Sequence, residues 1–205
     1  MEASGVVAAL LREVEELLPR IVGLDETRRF LALLARINRF LEERSLGRII
    51  VTGGFAVEVY TGRVYRTMDV DVVVEGREAC RVFEELLRRL GERVARGYLP
   101  RHEALSTKSI DVVSTVYDRR LEPVKLVVDS DWIYLEPPEE LIVRYLAAWR
   151  FWGSTIDRDK ALWLYAATRD MLDEEALRMR AREEGVEHEL EEIRSLAAKA
   201  LGGEG

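Results

Sequence analysis

The chain has 205 residues, a formal net charge of −7, 48% hydrophobic and 34% charged residues, which suits one substantial domain or a core with a smaller helical part. The acidic balance argues against a protein whose main work is wrapping nucleic acid, because cationic side chains dominate affinity for phosphate backbones. No apolar run approaches the roughly 20 residues that cross a bilayer, and the single cysteine, Cys80, allows neither an internal disulfide nor a cysteine-built zinc site.

Near the N-terminus, Val6, Val7, Leu10, Leu11, Val14, Leu17 and Leu18 recur at helical spacing. They predict an amphipathic helix over residues 5–19, ended by Pro19. Glu2, Arg12, Glu13, Glu15 and Glu16 interleave with these residues, unlike a signal peptide, so a cytoplasmic location without membrane association is expected. Asp25 is a candidate N-cap for a second helix carrying Phe30, Leu31, Leu33, Leu34, Ile37, Phe40 and Leu41 and stopping near Gly47. Both helices read as packing against a sheet.

The stretch from Arg48 to Glu75 organises the rest. An apolar strand leads into Gly53-Gly54, then a helical turn or two from Phe55 to Tyr60, then a strand bearing Asp69 and Asp71. Residues two apart on a strand share a face, so both carboxylates point one way while Val70 and Val72 point the other. Two like charges beside a valine run repel, and a cation between them removes the conflict. Mg²⁺ prefers carboxylate oxygen and keeps open positions for phosphate oxygens. Glycine lets a ligand approach the backbone, and the free amides of the following helical turn suit a phosphate. Gly-Gly alone is also an ordinary strand-to-helix turn, and Asp-x-Asp alone is also a solvated strand end. Their order, with Arg66 and Thr67 just before the aspartates, is the more specific signal.

Downstream, Arg77–Leu90 predicts a third amphipathic helix closed by Gly91, with Cys80 as a small core residue. Arg88, Arg89, Arg93, Arg96 and Arg101 read as a solvated helix end and loop, and His102 as a surface residue. Residues 97–106 read as loop and 107–114 as a strand, in which Asp111 sits among apolar neighbours where an unpaired carboxylate is costly. Asp129 and Asp131 are fallback carboxylates on a strand running into a turn. Pro137-Pro138 opens a helical region to the C-terminus, broken at Gly153-Ser154 and Gly185, with one helix over residues 157–172 and a frayed tail at 202–205. Trp149, Trp152, Trp163 and Tyr165 fall at helical spacing and read as core.

The order of an apolar strand, Gly53-Gly54 and Asp69-Val70-Asp71 resembles the nucleotidyltransferase superfamily with a polymerase-β-like palm. With Tyr60, Arg63, Arg66 and Thr67 leading to Asp69-Val70-Asp71-Val72-Val73-Val74, it is similar to the prokaryotic abortive-infection type. The resemblance implies Mg²⁺ held by Asp69 and Asp71, with Asp111 as the third carboxylate on an adjacent strand, serving as metal ligand and base for an acceptor hydroxyl. It further implies nucleotide contacts at Gly53, Gly54, Arg66 and Thr67. A late family motif, Arg-x-Lys-Asp-x-x-Asp, is matched at its start by Arg158-Asp159-Lys160, but Ala161 and Leu164 stand where aspartates are expected. Lys160 is the candidate triphosphate contact there, and Arg144 a second one.

The expectation is an α+β fold: a nucleotidyltransferase-like mixed sheet with flanking helices and a C-terminal helical segment. Its parts would be N-terminal helices (residues 1–47), the core (48–136) and the helical region (137–205). The expected activity is Mg²⁺-dependent transfer of a nucleoside monophosphate from an NTP to an unidentified acceptor, which could be RNA, protein or a small molecule. The alternative is a catalytically inactive relative that acts through nucleotide or protein binding, for example in a toxin–antitoxin pair.

Overall fold

The structure is a computed structural model, and it describes residues 3–201; the tail at 202–205 lies outside the described residues. The chain divides into two compact units. The first comprises the residues up to Phe55, Thr67–Asp118 and Pro123–Leu135, and the second Ala56–Arg66, Arg119–Glu122 and the chain from Glu136 onward.

The first unit begins with α1 (Ala3–Ile21) and α2 (Glu26–Glu43). Asp25 caps α2 as expected, accepting a hydrogen bond from the Arg28 amide at 3.1 Å. Pro19 does not end α1 but lies inside its last turn. A proline deletes one backbone hydrogen bond, and here Ile21, only 2% exposed, is buried beyond it, which holds that turn in place.

Among the described residues the strands are β1 (Arg48–Thr52), β2 (Asp69–Glu75), β3 (Gly91–Arg93), β4 (Tyr98–Pro100), β5 (Ser109–Ser114), β6 (Val124–Val128) and β7 (Asp131–Leu135). They form one mixed sheet in the order β3-β4-β5-β2-β1-β7-β6. β1 pairs antiparallel with β2 and parallel with β7, while β2 pairs parallel with β5. The fold class is therefore the expected mixed sheet with flanking helices. The short ribbon β3–β4 replaces part of the expected loop, because pairing with β5 supplies hydrogen bonds that three residues cannot make alone.

α2 packs on β7 and β1, and α1 packs on α2 and on the helix Arg77–Leu90, which covers β2. The buried Asn38 side chain joins α2 to two strands. Its Oδ1 accepts from the Ile49 amide at 2.7 Å, and its Nδ2 donates to the Trp132 carbonyl at 3.0 Å. A buried amide with both ends satisfied stabilises a particular seating of helix on sheet rather than burial in general.

A further helix, α3 (Gly53–Tyr60), starts in the first unit and continues into the second. With Arg77–Leu90 as α4, the second unit's own helices are α5 (Pro138–Trp152), α6 (Thr155–Thr168), α7 (Glu174–Glu183) and α8 (Glu187–Leu201). α5 starts after Pro137 and ends at Gly153, whose left-handed φ of +66° closes the helix. α6 stops at Thr168, short of the expected 172. Leu141, Ile142, Leu146, Ala161, Leu164, Leu177 and Ile193 form the core of this unit.

The aromatic residues read as core are not all inside. Trp152 is 81% exposed and Trp163 37%, and Trp149 and Tyr165 are half-buried. The buried face of α5 ends at Leu146, so helical spacing continues past the point where another helix covers it.

Three carboxylates at the start of α5 are buried: Glu136, Glu139 and Glu140. Glu136 pairs with Arg119 at 2.9 Å and Arg144 at 3.2 Å. Glu140 accepts from the Arg120 and Leu121 amides, each at 3.0 Å, and pairs with Arg180 at 3.1 Å. The short segment 119–122 is tied to the helices by these bonds. Tyr60 donates to the Glu136 carbonyl at 3.2 Å, and burial, then the nearby Glu139 and Glu136, push its phenol pKa far above the usual value.

Candidate active site

β2 lies between β1 and β5, and its valines are buried. Asp69 is exposed and Asp71 half-buried, so the alternation expected from the sequence holds. The register sets Asp71 opposite Thr52 on β1 and opposite Asp111 on β5. Paired residues on neighbouring strands share a face of the sheet. Asp69, Asp71 and Asp111 therefore lie on one face of two adjacent parallel strands, within the first three residues of each.

Gly53 completes the approach to Asp71. Its φ is +63°, a conformation that side chains disfavour. A Cβ there would come within 3.3 Å of the Asp71 Cβ and closer still to its Oδ2. The Gly-Gly pair is thus the first turn of α3 rather than a turn before it, and its missing side chain makes room for a carboxylate.

Other residues hold the lead-in to β2. Ser109 Oγ donates to Asp69 Oδ1 at 2.6 Å, and the Ser109 amide donates to the Met68 carbonyl at 3.0 Å. The Asp69 amide donates to Thr67 Oγ1 at 3.3 Å. Lys108, only 1% exposed, donates from Nζ to the Thr67 carbonyl. The same ammonium lies 3.7 Å from the Glu26 carboxylate and 5.8 Å from the centre of the Phe55 ring. A buried ammonium needs such partners, and these ones join the helix start, the Gly53 turn and the Thr67 segment. Sequence reasoning gave Lys108 and Ser109 no role. Their only signal was a cation and a hydroxyl at the head of an apolar strand.

The fallback carboxylates fall elsewhere. Asp131 is on β7, beside β1 rather than β2, and it pairs with Arg36 at 2.8 Å and Arg39 at 2.7 Å. Asp129 sits in the turn of the β6–β7 hairpin with a φ of +54°.

Arg66 is exposed and, like Lys160, belongs to the second unit. There Lys160 pairs with Asp157 at 3.0 Å, and its Nζ lies 5.0 Å from the centre of the Tyr145 ring and 5.3 Å from that of Tyr65. Arg158 pairs with Asp159 at 2.9 Å. Ala161 and Leu164, at the two places of the expected aspartates, are fully buried in the core of that unit. Cys80 is half-buried, and burial followed by the neighbouring Glu84 pushes its thiol pKa up, away from nucleophilic chemistry.

No protein-family model matches the sequence, and a search of the curated proteins returns no match. Among solved structures, the chain is similar to an antigenic nucleotidyltransferase-like protein from Paracoccidioides brasiliensis. The TM-score is 0.56 at 16% identity, over 78% of this chain and 87% of that one. The fold is nucleotidyltransferase-like. The solution structure of the antibiotic-resistance factor ANT(2'')-Ia aligns with a TM-score of 0.47 at 15% identity, over 95% of this chain and 98% of that one.

In this nucleotidyltransferase-like chain, no group of three or more His, Cys, Asp or Glu side chains among the described residues is gathered into a metal cage. Mg²⁺ needs no such cage, since one or two carboxylates suffice when substrate phosphates and water supply the remaining oxygens. The donor chemistry of Asp69 and Asp71, with the side-chain-free Gly53 beside Asp71, fits an ion held in that way.

Proposed function

We propose that the protein is a nucleotidyltransferase that moves a nucleoside monophosphate from an NTP to an acceptor hydroxyl, with release of pyrophosphate. The observation that carries this reading is the register of Asp71 with Asp111 on the adjacent parallel strand, with Gly53 packed against Asp71. Asp69 and Asp71 would hold Mg²⁺, which when bound polarises phosphate oxygens and offsets their charge. Asp111 accepts the proton of the acceptor hydroxyl as its oxygen attacks the α-phosphorus, and the bond to pyrophosphate breaks. The Gly53 and Gly54 backbone lets the phosphates come close, and Ser109 holds Asp69 in a single orientation through the 2.6 Å hydrogen bond.

A second reading is supported by the late motif. Because Ala161 and Leu164 are core residues, that motif has become packing, which favours a relative that binds a nucleotide or a protein partner without transferring anything.

Thermal unfolding with each of the four NTPs and Mg²⁺ separates the two readings, using wild type and Asp69→Asn/Asp71→Asn. Ligand at about 100 times its Kd stabilises by ~2.7 kcal/mol, a rise in Tm of roughly 5–10 °C for a chain of this size. A metal-dependent rise in wild type that the double variant lacks, together with pyrophosphate release once an acceptor is supplied, is the expected result. Nucleotide binding without any release of pyrophosphate supports the second reading. No rise with any nucleotide at millimolar concentration removes both nucleotide readings.

A further inference from the structure

Asp69 is exposed and is the first residue of β2, and the chain before it, residues 61–68, belongs to no helix or strand. Asp71 has a strand partner on both sides, Thr52 and Asp111. Asp69 has one on one side only, because the pairing of β1 with β2 ends at Asp71. A carboxylate at such an end has two equivalent oxygens and turns between them. Ordering it weakens the binding of any ligand unless the protein has already done so.

The head of β5 supplies that order through three consecutive bonds. Lys108 Nζ donates to the Thr67 carbonyl, the Ser109 amide to the Met68 carbonyl at 3.0 Å, and Ser109 Oγ to Asp69 Oδ1 at 2.6 Å. Asp69 Oδ2 makes no hydrogen bond or ion pair among the described residues. The two oxygens are therefore no longer alike.

Lys108 is the costly member of this clamp. Its ammonium is 1% exposed and lies between the Glu26 carboxylate and the ring of Phe55, in the first turn of α3. Filling that space requires no charge, and an apolar side chain of similar volume would pack there without desolvating an ammonium. An apolar side chain cannot, however, hold the Thr67 carbonyl two residues before Asp69.

We infer that Lys108 and Ser109 are positioning residues for the divalent-cation site. Ser109 occupies Oδ1 of Asp69 and leaves Oδ2 for the ion, and Lys108 fixes the segment that carries that carboxylate. The inference rests on the cation site proposed at Asp69 and Asp71, and it names the residues that set this site before an ion arrives.

Mn²⁺ tests it, because the free ion gives a paramagnetic resonance signal that fades on binding. Titrated alone into the full chain, it is expected to bind wild type and not Asp69→Asn. Ser109→Ala should weaken binding about tenfold, as loss of a hydrogen-bond partner of a metal ligand commonly does, and Ser109→Thr, which keeps the hydroxyl, should restore most of it. Lys108→Met should weaken binding to a similar extent. The Lys108→Met/Ser109→Ala pair should lose little more than either alone, because both open the same clamp. The ion-free unfolding midpoint of Ser109→Ala should stay within about 4 °C of wild type. Wild-type Mn²⁺ affinity in Ser109→Ala or Lys108→Met, while Asp69→Asn does not bind, overturns the inference and leaves the cation site standing. No Mn²⁺ bound by wild type at millimolar concentration, or equal binding by Asp69→Asn, removes the cation site and the clamp's role with it.

Discussion

Gly53 and Gly62 have nearly the same backbone, with φ of +63° and +59°, yet very different surroundings. Around Gly62 a Cβ would meet nothing within 4 Å, whereas at Gly53 it would meet the Asp71 carboxylate. Gly62→Ala should therefore lose only the conformational term, about 1 kcal/mol. Gly53→Ala should lose that and displace Asp71 as well, on the order of 2–4 kcal/mol in total. Thermal or urea unfolding of the two variants side by side measures the difference, and equal losses would mean that Gly53 does not pack on Asp71. At this scale the aspartates were legible, because strand alternation alone puts Asp69 and Asp71 on one side. Ser109 and Lys108 were not, because their bonds to Asp69 and Thr67 exist only once β5 lies beside β2.

The start of α5 shows the same contrast among elements. Pro137 and Pro138 announce a helix start, but nothing local says that Glu140 is 2% exposed and bound to Arg180 and to the Arg120 and Leu121 amides. Removing one partner of a buried pair leaves the other uncompensated, at about 3–5 kcal/mol. Glu140→Ala should accordingly lower Tm by on the order of 10 °C, as read by calorimetry. A change of only a degree or two would show that Glu183 and Glu184, which also pair with Arg180, carry that arginine by themselves. α4 was legible to the residue, since its apolar positions and Gly91 are local signals. The β3–β4 ribbon was not, since short strands depend on a neighbour, and the exposed Trp152 was misread because periodicity does not report where a covering layer stops.

For the whole molecule, charge is the most direct guide to partners. The net charge of −7 is joined by local neutralisation of the basic run, in which Arg88 and Arg89 both pair with Glu85 at 3.0 Å. Non-specific binding to nucleic acid should then be weak. A labelled single-stranded RNA followed by fluorescence anisotropy at physiological salt should not saturate below about 100 μM protein. Micromolar affinity with a steep salt dependence would instead place RNA first among acceptors. Among the described residues no helix is long and apolar enough to cross a membrane.

By itself, the sequence determined what depends on neighbours a few residues away: the helix faces, the Asp25 cap, the breaks at Gly91 and Gly153, and the shared side of Asp69 and Asp71. The tertiary structure alone decided the strand order, which puts Asp111, the carboxylate already expected there, and not Asp131, in register with Asp71. It also decided the burial of Lys108, Glu140 and Leu164. The physical reason is range. Dihedral preferences, capping and periodicity act within a few turns of chain, whereas the pairing of β2 with β5 brings together segments 40 residues apart, as Ser109 and Asp69 are.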